Sequence, residues 1–264
     1  PNNGTEKPAK LRGEVAFEGV YFSYQSDKNP ADAEGWTLND VSFRVPAGET
    51  LAIVGSTGAG KTTIISILNR FYDIAKGKVS IDGTDLQDFD IYALRRRIAI
   101  VLQDVFLFSG SVLDNIRLND QSISRERVEE AARLIGAHEF IERLPEGYDY
   151  QVRERGATLS MGQRQLISFV RALVFEPDIL ILDEATSSID PETEAVIQHA
   201  IQTLIARRTS IIIAHRLSTI QHAQQIMVME RGRVAEIGTH QALMQQDGGH
   251  YRALVEAATG QQVQ

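Results

Sequence analysis

The sequence predicts an α/β fold: a core with a mostly parallel sheet, an antiparallel β subdomain at the N-terminus, and a helical subdomain inserted mid-chain. Three observations carry that prediction. Apolar runs at Leu51–Val54, Ile179–Leu182 and Thr209–Ala214 have the composition of short strands buried on both faces of a parallel sheet. Val15–Tyr24 is rich in strand formers, and Val41–Val45 alternates as an antiparallel strand does. From Ser111 to Phe175 the patterns are helical and no strand is convincing.

In chain order, Pro1–Arg12 is polar with two prolines and reads as a linker, so the folded domain is expected over 13–264. Gln25–Gly35 reads as a loop, and Pro46-Ala47-Gly48 ends the strand at Val45. Thr63–Phe71 has a helical pattern, Lys78–Ile81 a strand followed by an Asp82-Gly83 turn, and Ile98–Leu102 a strand leading into Gln103. The helical subdomain, about 111–176, holds an amphipathic helix at Glu126–Ile135 and a long helix at Gly162–Phe175. Asp190 is then expected to cap a helix whose first position is Pro191. Ile226–Met229 and Val234–Ile237 form a hairpin through Arg231-Gly232, and helices from about Thr239 close the domain.

Composition removes several function classes. With 264 residues, 43% of them hydrophobic and 23% charged, the chain has the make-up of a globular protein able to bury a large core. A formal net charge of −8 argues against a nucleic-acid partner. No run approaches the roughly 18 apolar residues of a membrane span, and no signal-peptide pattern is visible. The absence of cysteine excludes disulfides and thiolate metal sites and fits a cytosolic setting. The six histidines lack the paired spacing of a zinc site.

The sharpest chemistry lies in Gly55, Ser56, Thr57, Gly58, Ala59, Gly60, Lys61 and Thr62, which fit G-x-x-x-x-G-K-[ST] at every fixed position. A strand pattern precedes this stretch and a helical one, beginning at Thr63, follows it. That context is the one a phosphate-binding P-loop needs: glycines turn backbone N–H groups toward one point, and the helix adds its positive end. Lys61 would reach the β- and γ-phosphates, and the Thr62 hydroxyl would ligate Mg²⁺. The core is therefore that of a P-loop NTPase.

Further candidates stand at the ends of other strands. Asp183 and Glu184 follow Leu182, where Asp183 would hold Mg²⁺ and Glu184 would act as general base on an attacking water. The plainer reading is an acidic helix start. His215 follows Ala214, placed to donate to a γ-phosphate oxygen or to serve only as a structural residue. Gln103 would offer an amide oxygen near Mg²⁺ and the attacking water, or be an ordinary loop residue. Tyr24 neighbours Tyr21 and Phe22, so it either stacks on a purine or joins the core. Leu159-Ser160-Met161-Gly162-Gln163 opens the long helix and forms a second anion-seeking end, which suggests a nucleotide shared across a two-fold dimer; a serine cap alone is the alternative.

Leu159–Gln163 resembles the L-S-G-G-Q signature of ATP-binding cassette (ABC) ATPases, with Met161 in place of the first glycine. The order and spacing of motifs resemble that family from Tyr24 to about Glu256. The resemblance implies that Tyr24 stacks on adenine, Gln103 is the Q-loop glutamine and Glu184 the catalytic glutamate. It further implies that His215 is the switch histidine, and that Ser188-Ile189-Asp190 is the D-loop. Two cassettes would pair head to tail, with ATP on one P-loop capped by Ser160 and Gly162 of the other; Gln163 of the same signature is counted among the cofactor-binding residues.

Phe106–Ile116, Leu144–Asp149 and Glu154-Arg155-Gly156 are similar to the cassettes of ABC exporters, although Arg153 stands where exporters usually carry glycine. This narrower resemblance implies a transmembrane domain N-terminal to Pro1, contact with its coupling helices, and a place on the cytoplasmic face of the membrane for a portion that is itself soluble. The expected function is ATP hydrolysis powering export. A non-transport ABC ATPase and a regulatory ATP-binding cassette are the alternatives.

Overall fold

The computed structural model describes residues 2–25, 35–152, 158–183, 191–206, 208–214 and 217–260. The first half contains β1 (Val15–Phe22), β2 (Leu38–Val45), β3 (Thr50–Val54), α1 (Lys61–Leu68), β4 (Lys76–Ile81), β5 (Thr84–Asp85), α2 (Ile91–Arg97) and β6 (Ile98–Val101). Next come β7 (Gly110–Ser111), α3 (Val112–Arg117), α4 (Arg125–Ile135), α5 (His138–Glu142), β8 (Gln151–Val152) and α6 (Met161–Val174). The chain closes with β9 (Ile179–Asp183), α7 (Pro191–Ile205), β10 (Thr209–Ile213), α8 (Leu217–Gln221), β11 (Gln225–Glu230), β12 (Arg233–Gly238), α9 (His240–Met244) and α10 (His250–Gly260).

These elements form the predicted α/β architecture. The central sheet has the order β12-β11-β3-β10-β9-β6, and β11, β3, β10, β9 and β6 are mutually parallel. The hairpin partner β12 alone runs antiparallel on the edge. A second sheet, β2-β1-β4-β5, is wholly antiparallel.

Strand periodicity divides the core in two. Successive side chains on a strand point to opposite faces. Leu51, Ile53, Ile179, Ile181, Ile211 and Ile213 therefore join the cluster under α1, α2 and the antiparallel sheet. Ala52, Val54, Leu180, Leu182, Ile212 and Ala214 join the cluster under α3, α4, α6 and α7. Both faces are sealed, which is why these strands read as unbroken apolar runs rather than alternating ones. Each buried Leu or Ile contributes about 1.5–3 kcal/mol relative to an exposed one.

Two findings depart from sequence expectation. Within the helical subdomain, Gln151–Val152 pairs antiparallel with Gly110–Ser111, and the Val112 N–H donates to the Tyr150 carbonyl at 3.0 Å. A two-residue ladder has no periodicity to read, so the sequence of this stretch predicts helices alone. The segment read as a linker is also tied down along its length. The Thr5 and Glu6 N–H groups donate to the Asp88 carbonyl, and Leu11 is buried with its N–H on the Asp178 carboxylate. The Asp82 carboxylate accepts from the N–H groups of Arg12, Gly13 and Glu14 at 2.8–3.1 Å.

Local caps explain where the inserted helices stop and start. Ser124 accepts from the Arg127 N–H to open α4, and Gly136, at φ 82°, closes it in the left-handed conformation. Asn115 on α3 acts over a longer range. Its Oδ1 accepts from the Phe108 N–H at 2.8 Å, and its Nδ2 donates to the carbonyls of Phe108 and Ser111. Arg171 on α6 then donates through Nε to the Asn115 carbonyl at 2.9 Å. The chain downstream of Gln103 is thereby clamped to the long helix.

Removing the Asn115 side chain takes a partner from the part-buried Phe108 N–H and carbonyl and from the buried Ser111 carbonyl, so Asn115→Ala is expected to lower the unfolding free energy by about 1–3 kcal/mol. Denaturant unfolding measures this directly, and unchanged stability would contradict the clamp.

Candidate functional site

Strand β3 ends at Val54, and the chain turns at once into Gly55–Gly60. Gly55 adopts φ +145°, and a β-carbon there would lie 2.2 Å from the Met229 carbonyl oxygen of β11. Only glycine fits so close an approach. Gly58, at φ +81°, is different: no atom lies within 4 Å of where its β-carbon would be.

Helix α1 begins under that loop with Gly60 as its N-cap, in the left-handed conformation and with no side-chain capping hydrogen bond. The first N–H groups of a helix need acceptors, and a glycine cap supplies none. An anion in the loop satisfies them and meets the positive end of the helix dipole. Lys61 is 9% exposed, and its Nζ donates to the carbonyls of Gly55 and Ser56 at 2.7 and 2.9 Å. An ammonium has three donors, so these two bonds leave one to aim elsewhere. Burial pushes the Lys61 pKa below the ordinary lysine value, and the negative charge of Asp183 opposes that shift. Ser56 and Thr57 are exposed on the loop and Thr62 on the first turn of α1, whereas Ala59 is buried.

The strand register brings further candidates to the same edge. Ile213 of β10 pairs with Ile53 on one side and Asp183 on the other, and Leu182 pairs with Val101 of β6. Asp183 thus ends its strand with only β10 between it and the strand that feeds the loop, and it offers carboxylate oxygens of the kind a hard cation takes. Gln103 lies two residues beyond β6 and is exposed on a cleft of about 390 Å³ shared with Asp104, Val105, Phe106, Met161 and Arg164. Glu184, Asp190 and His215 lie outside the described residues, as does Arg153. The residues immediately before two of them are Asp183, the last residue of β9, and Ala214, which follows the end of the adjacent β10.

The aromatic candidates separate clearly. Phe22 is buried, and Tyr21 packs edge-on to Trp36. Tyr24 keeps 53% of its surface exposed, and its hydroxyl shares a 3.1 Å hydrogen bond with the Thr63 hydroxyl. Thr63 itself is buried, so its side chain ties the ring to the helix beneath the loop. Tyr72, which local sequence patterns did not single out, stands 5.1 Å from Tyr24 at 89°.

The N-terminus of α6 is built unlike that of α1. Ser160 accepts from the Gln163 N–H at 3.1 Å, and the Gln163 side chain accepts from the Ser160 N–H at 2.9 Å. This capping box engages Gln163 and buries Gly162, while Ser160 stays exposed. A hydroxyl that accepts at its oxygen still has a proton to donate. Among the described residues, no hydrogen bond joins this helix end to the loop of the same chain.

A profile of the ABC transporter family matches residues 38–187. An uncharacterized ABC transporter ATP-binding protein of Bacillus subtilis (strain 168), YknV, is 50% identical over 260 residues, 97% of this chain and 42% of that protein. An ATP-dependent lipid A-core flippase of Legionella pneumophila (strain Paris) is 46% identical over 253 residues, 96% of this chain and 42% of its own length. Among solved structures, a bacterial Atm1-family ABC exporter with ATP bound matches with a TM-score of 0.85 and 39% identity, over 97% of this chain and 44% of that one. The chain spans about two-fifths of the length of the curated relatives it matches.

Because Ser160 and Gln163 cap one another, Ser160→Ala is expected to cost about 0.5–2 kcal/mol of stability. Urea unfolding of this variant checks the capping box, and no measurable loss would contradict it.

Proposed function

The chain belongs to the ABC transporter family, and from that premise we propose that it is the ATP-hydrolysing cassette of an exporter, working as one of a head-to-tail pair. The observation that carries the reading is the uncapped start of α1 at the end of a glycine loop, with the buried Lys61 ammonium bonded to the loop's own Gly55 and Ser56 carbonyls. Such a start wants a multiply charged anion, and a nucleoside triphosphate supplies one.

Each candidate then has a task. Backbone N–H groups of Gly55–Thr62, with Thr63 behind them, cradle the phosphates, and Lys61 turns toward the β- and γ-phosphates. The exposed Tyr24 ring stacks on adenine. Thr62 and Asp183, with Gln103 nearby, would hold Mg²⁺, which would supply positive charge to the phosphate oxygens. Glu184 takes a proton from a water that attacks the γ-phosphorus in line, and ADP departs with the bridging oxygen. His215 donates to the γ-phosphate. Ser160, Gly162 and Gln163 of the partner subunit complete the enclosure, with Asp190 at the junction. The exposed Ser160 hydroxyl, unattached to its own loop, is what supports sharing between subunits.

Export rests on the relatives. A lipid A-core flippase and an Atm1-family exporter both match nearly the whole chain, and both extend well beyond it. Among the described residues no helix is long and apolar enough to cross a membrane. By likeness to those relatives, the reading gives the cassette membrane-spanning partners and a place on the cytoplasmic face. Phe106 and Phe108, exposed and edge-to-face at 5.0 Å, lie just after Gln103 on the segment clamped by Asn115. That rim suits contact with the coupling helices of a transmembrane domain.

Glu184→Gln is expected to lower turnover by about 10²–10⁴-fold while leaving ATP affinity in place; a variant with full activity would remove Glu184 from the mechanism. Lys61→Ala is expected to lose nucleotide binding, as read by calorimetry. Mixing Ser160→Ala with Lys61→Ala rebuilds one intact site per mixed pair, so ATPase activity should reappear. No recovery would contradict the shared site.

A further inference from the structure

We infer that Tyr72 is a positioning residue for the nucleotide base, acting through Tyr24. The inference rests on the reading of Tyr24 as the adenine platform and extends it to a residue outside the recognised motifs.

Tyr24 lies just beyond β1, and a ring in that position must be held still before it can serve as a stacking surface. Three contacts hold it. Its hydroxyl is tied to Thr63 at 3.1 Å, the Phe22 ring stands 4.9 Å away at 86°, and the Tyr72 ring stands 5.1 Å away at 89°. Tyr72 also meets Phe22 at 5.6 Å and 54°, so the three rings brace one another. Perpendicular aromatic pairs at these separations are attractive beyond the area they bury. With its tip bonded and two neighbours set across it, the Tyr24 ring has its plane fixed in advance. A ligand stacking on it then has less rotamer freedom to remove.

Core packing does not account for Tyr72, which remains 48% exposed. Its backbone, however, is pinned from behind. Arg95 donates through Nε to the Asn69 carbonyl at 3.0 Å and through Nη2 to the Arg70 carbonyl at 3.1 Å. The Phe71 N–H reaches the Ser66 carbonyl at 2.9 Å, and the Arg95 guanidinium lies 4.9 Å from the Phe71 ring centre. Just downstream, the Ala75 N–H donates to the Tyr21 carbonyl of β1 at 2.9 Å. A segment anchored at both ends thus presents an exposed aromatic ring to the proposed base platform. The phosphate loop uses none of these contacts.

The test compares affinities for ATP and for inorganic tripolyphosphate, both with Mg²⁺, by titration calorimetry on the 264-residue chain. Tripolyphosphate fills the phosphate cradle without a base, so it also reports whether each variant is folded. Tyr72→Ala is expected to weaken ATP by about 2- to 10-fold and leave tripolyphosphate unchanged. Tyr72→Phe, which keeps the edge contact, should restore ATP affinity to within about twofold of the parent. Tyr24→Ala should weaken ATP selectively by at least as much. If Tyr24→Ala is selective and Tyr72→Ala is not, the positioning role is overturned while the platform stands. If Tyr24→Ala is not selective either, the platform reading falls and takes this inference with it. An equal loss of both ligands in Tyr72→Ala would make the residue merely structural and overturn the role.

Discussion

Parallel pairing of β3, β10, β9 and β6, sealed by apolar side chains on both faces, is the constraint on which the rest of the molecule depends. A strand buried on both sides has no room for an unpaired polar group along its length. Chemistry must therefore collect where the strands end. Here Asp183 is the last residue of such a strand, Gly55 follows another directly and Gln103 lies two residues beyond a third, and the register holds those ends in one row. The two cores then fix what borders the row. One carries α1 and the antiparallel sheet with Tyr24, and the other carries the helices that present Ser160 and the clamped segment after Gln103.

Two helix starts on this frame meet the same electrostatic need by opposite means. Helix α1 is left without a side-chain cap, so its N–H groups turn to whatever occupies the loop. Helix α6 satisfies itself through the Ser160–Gln163 capping box and offers a hydroxyl rather than bare amides. The first arrangement suits tight binding by one chain. The second suits a weaker contact made only when another surface arrives. In the proposed pair this asymmetry lets the nucleotide bind first and report its presence by recruiting the second cassette. A bound γ-phosphate then biases a two-state association.

Much of this was legible in the sequence because it is local. Leu51–Val54 followed by Gly55–Thr62 and a helical run encodes strand, loop and helix within about twenty residues, and each piece specifies its neighbour. The Asp82-Gly83 turn and the Arg231-Gly232 hairpin have the same character. What escaped is held by contacts between residues far apart in sequence. The two-residue ladder of β7 with β8 has no repeat to detect, and the Asp82 carboxylate gathers Arg12, Gly13 and Glu14 from the far end of the domain. The hydrogen bond from Tyr24 to Thr63 and the ring contact to Tyr72 depend on how β1 is laid against α1, which no local pattern states. Gln163, grouped by its motif with the nucleotide contacts, has its side chain engaged in the cap of its own helix.

The central claim is that one nucleotide is enclosed by two cassettes, so turnover requires association. Specific ATPase activity of the chain measured over a wide range of protein concentration tests it most directly. If the site is shared, activity per molecule rises with concentration and levels off only as pairing saturates. Specific activity that is constant from the most dilute to the most concentrated sample would mean that a single chain completes its own site, and would contradict the account.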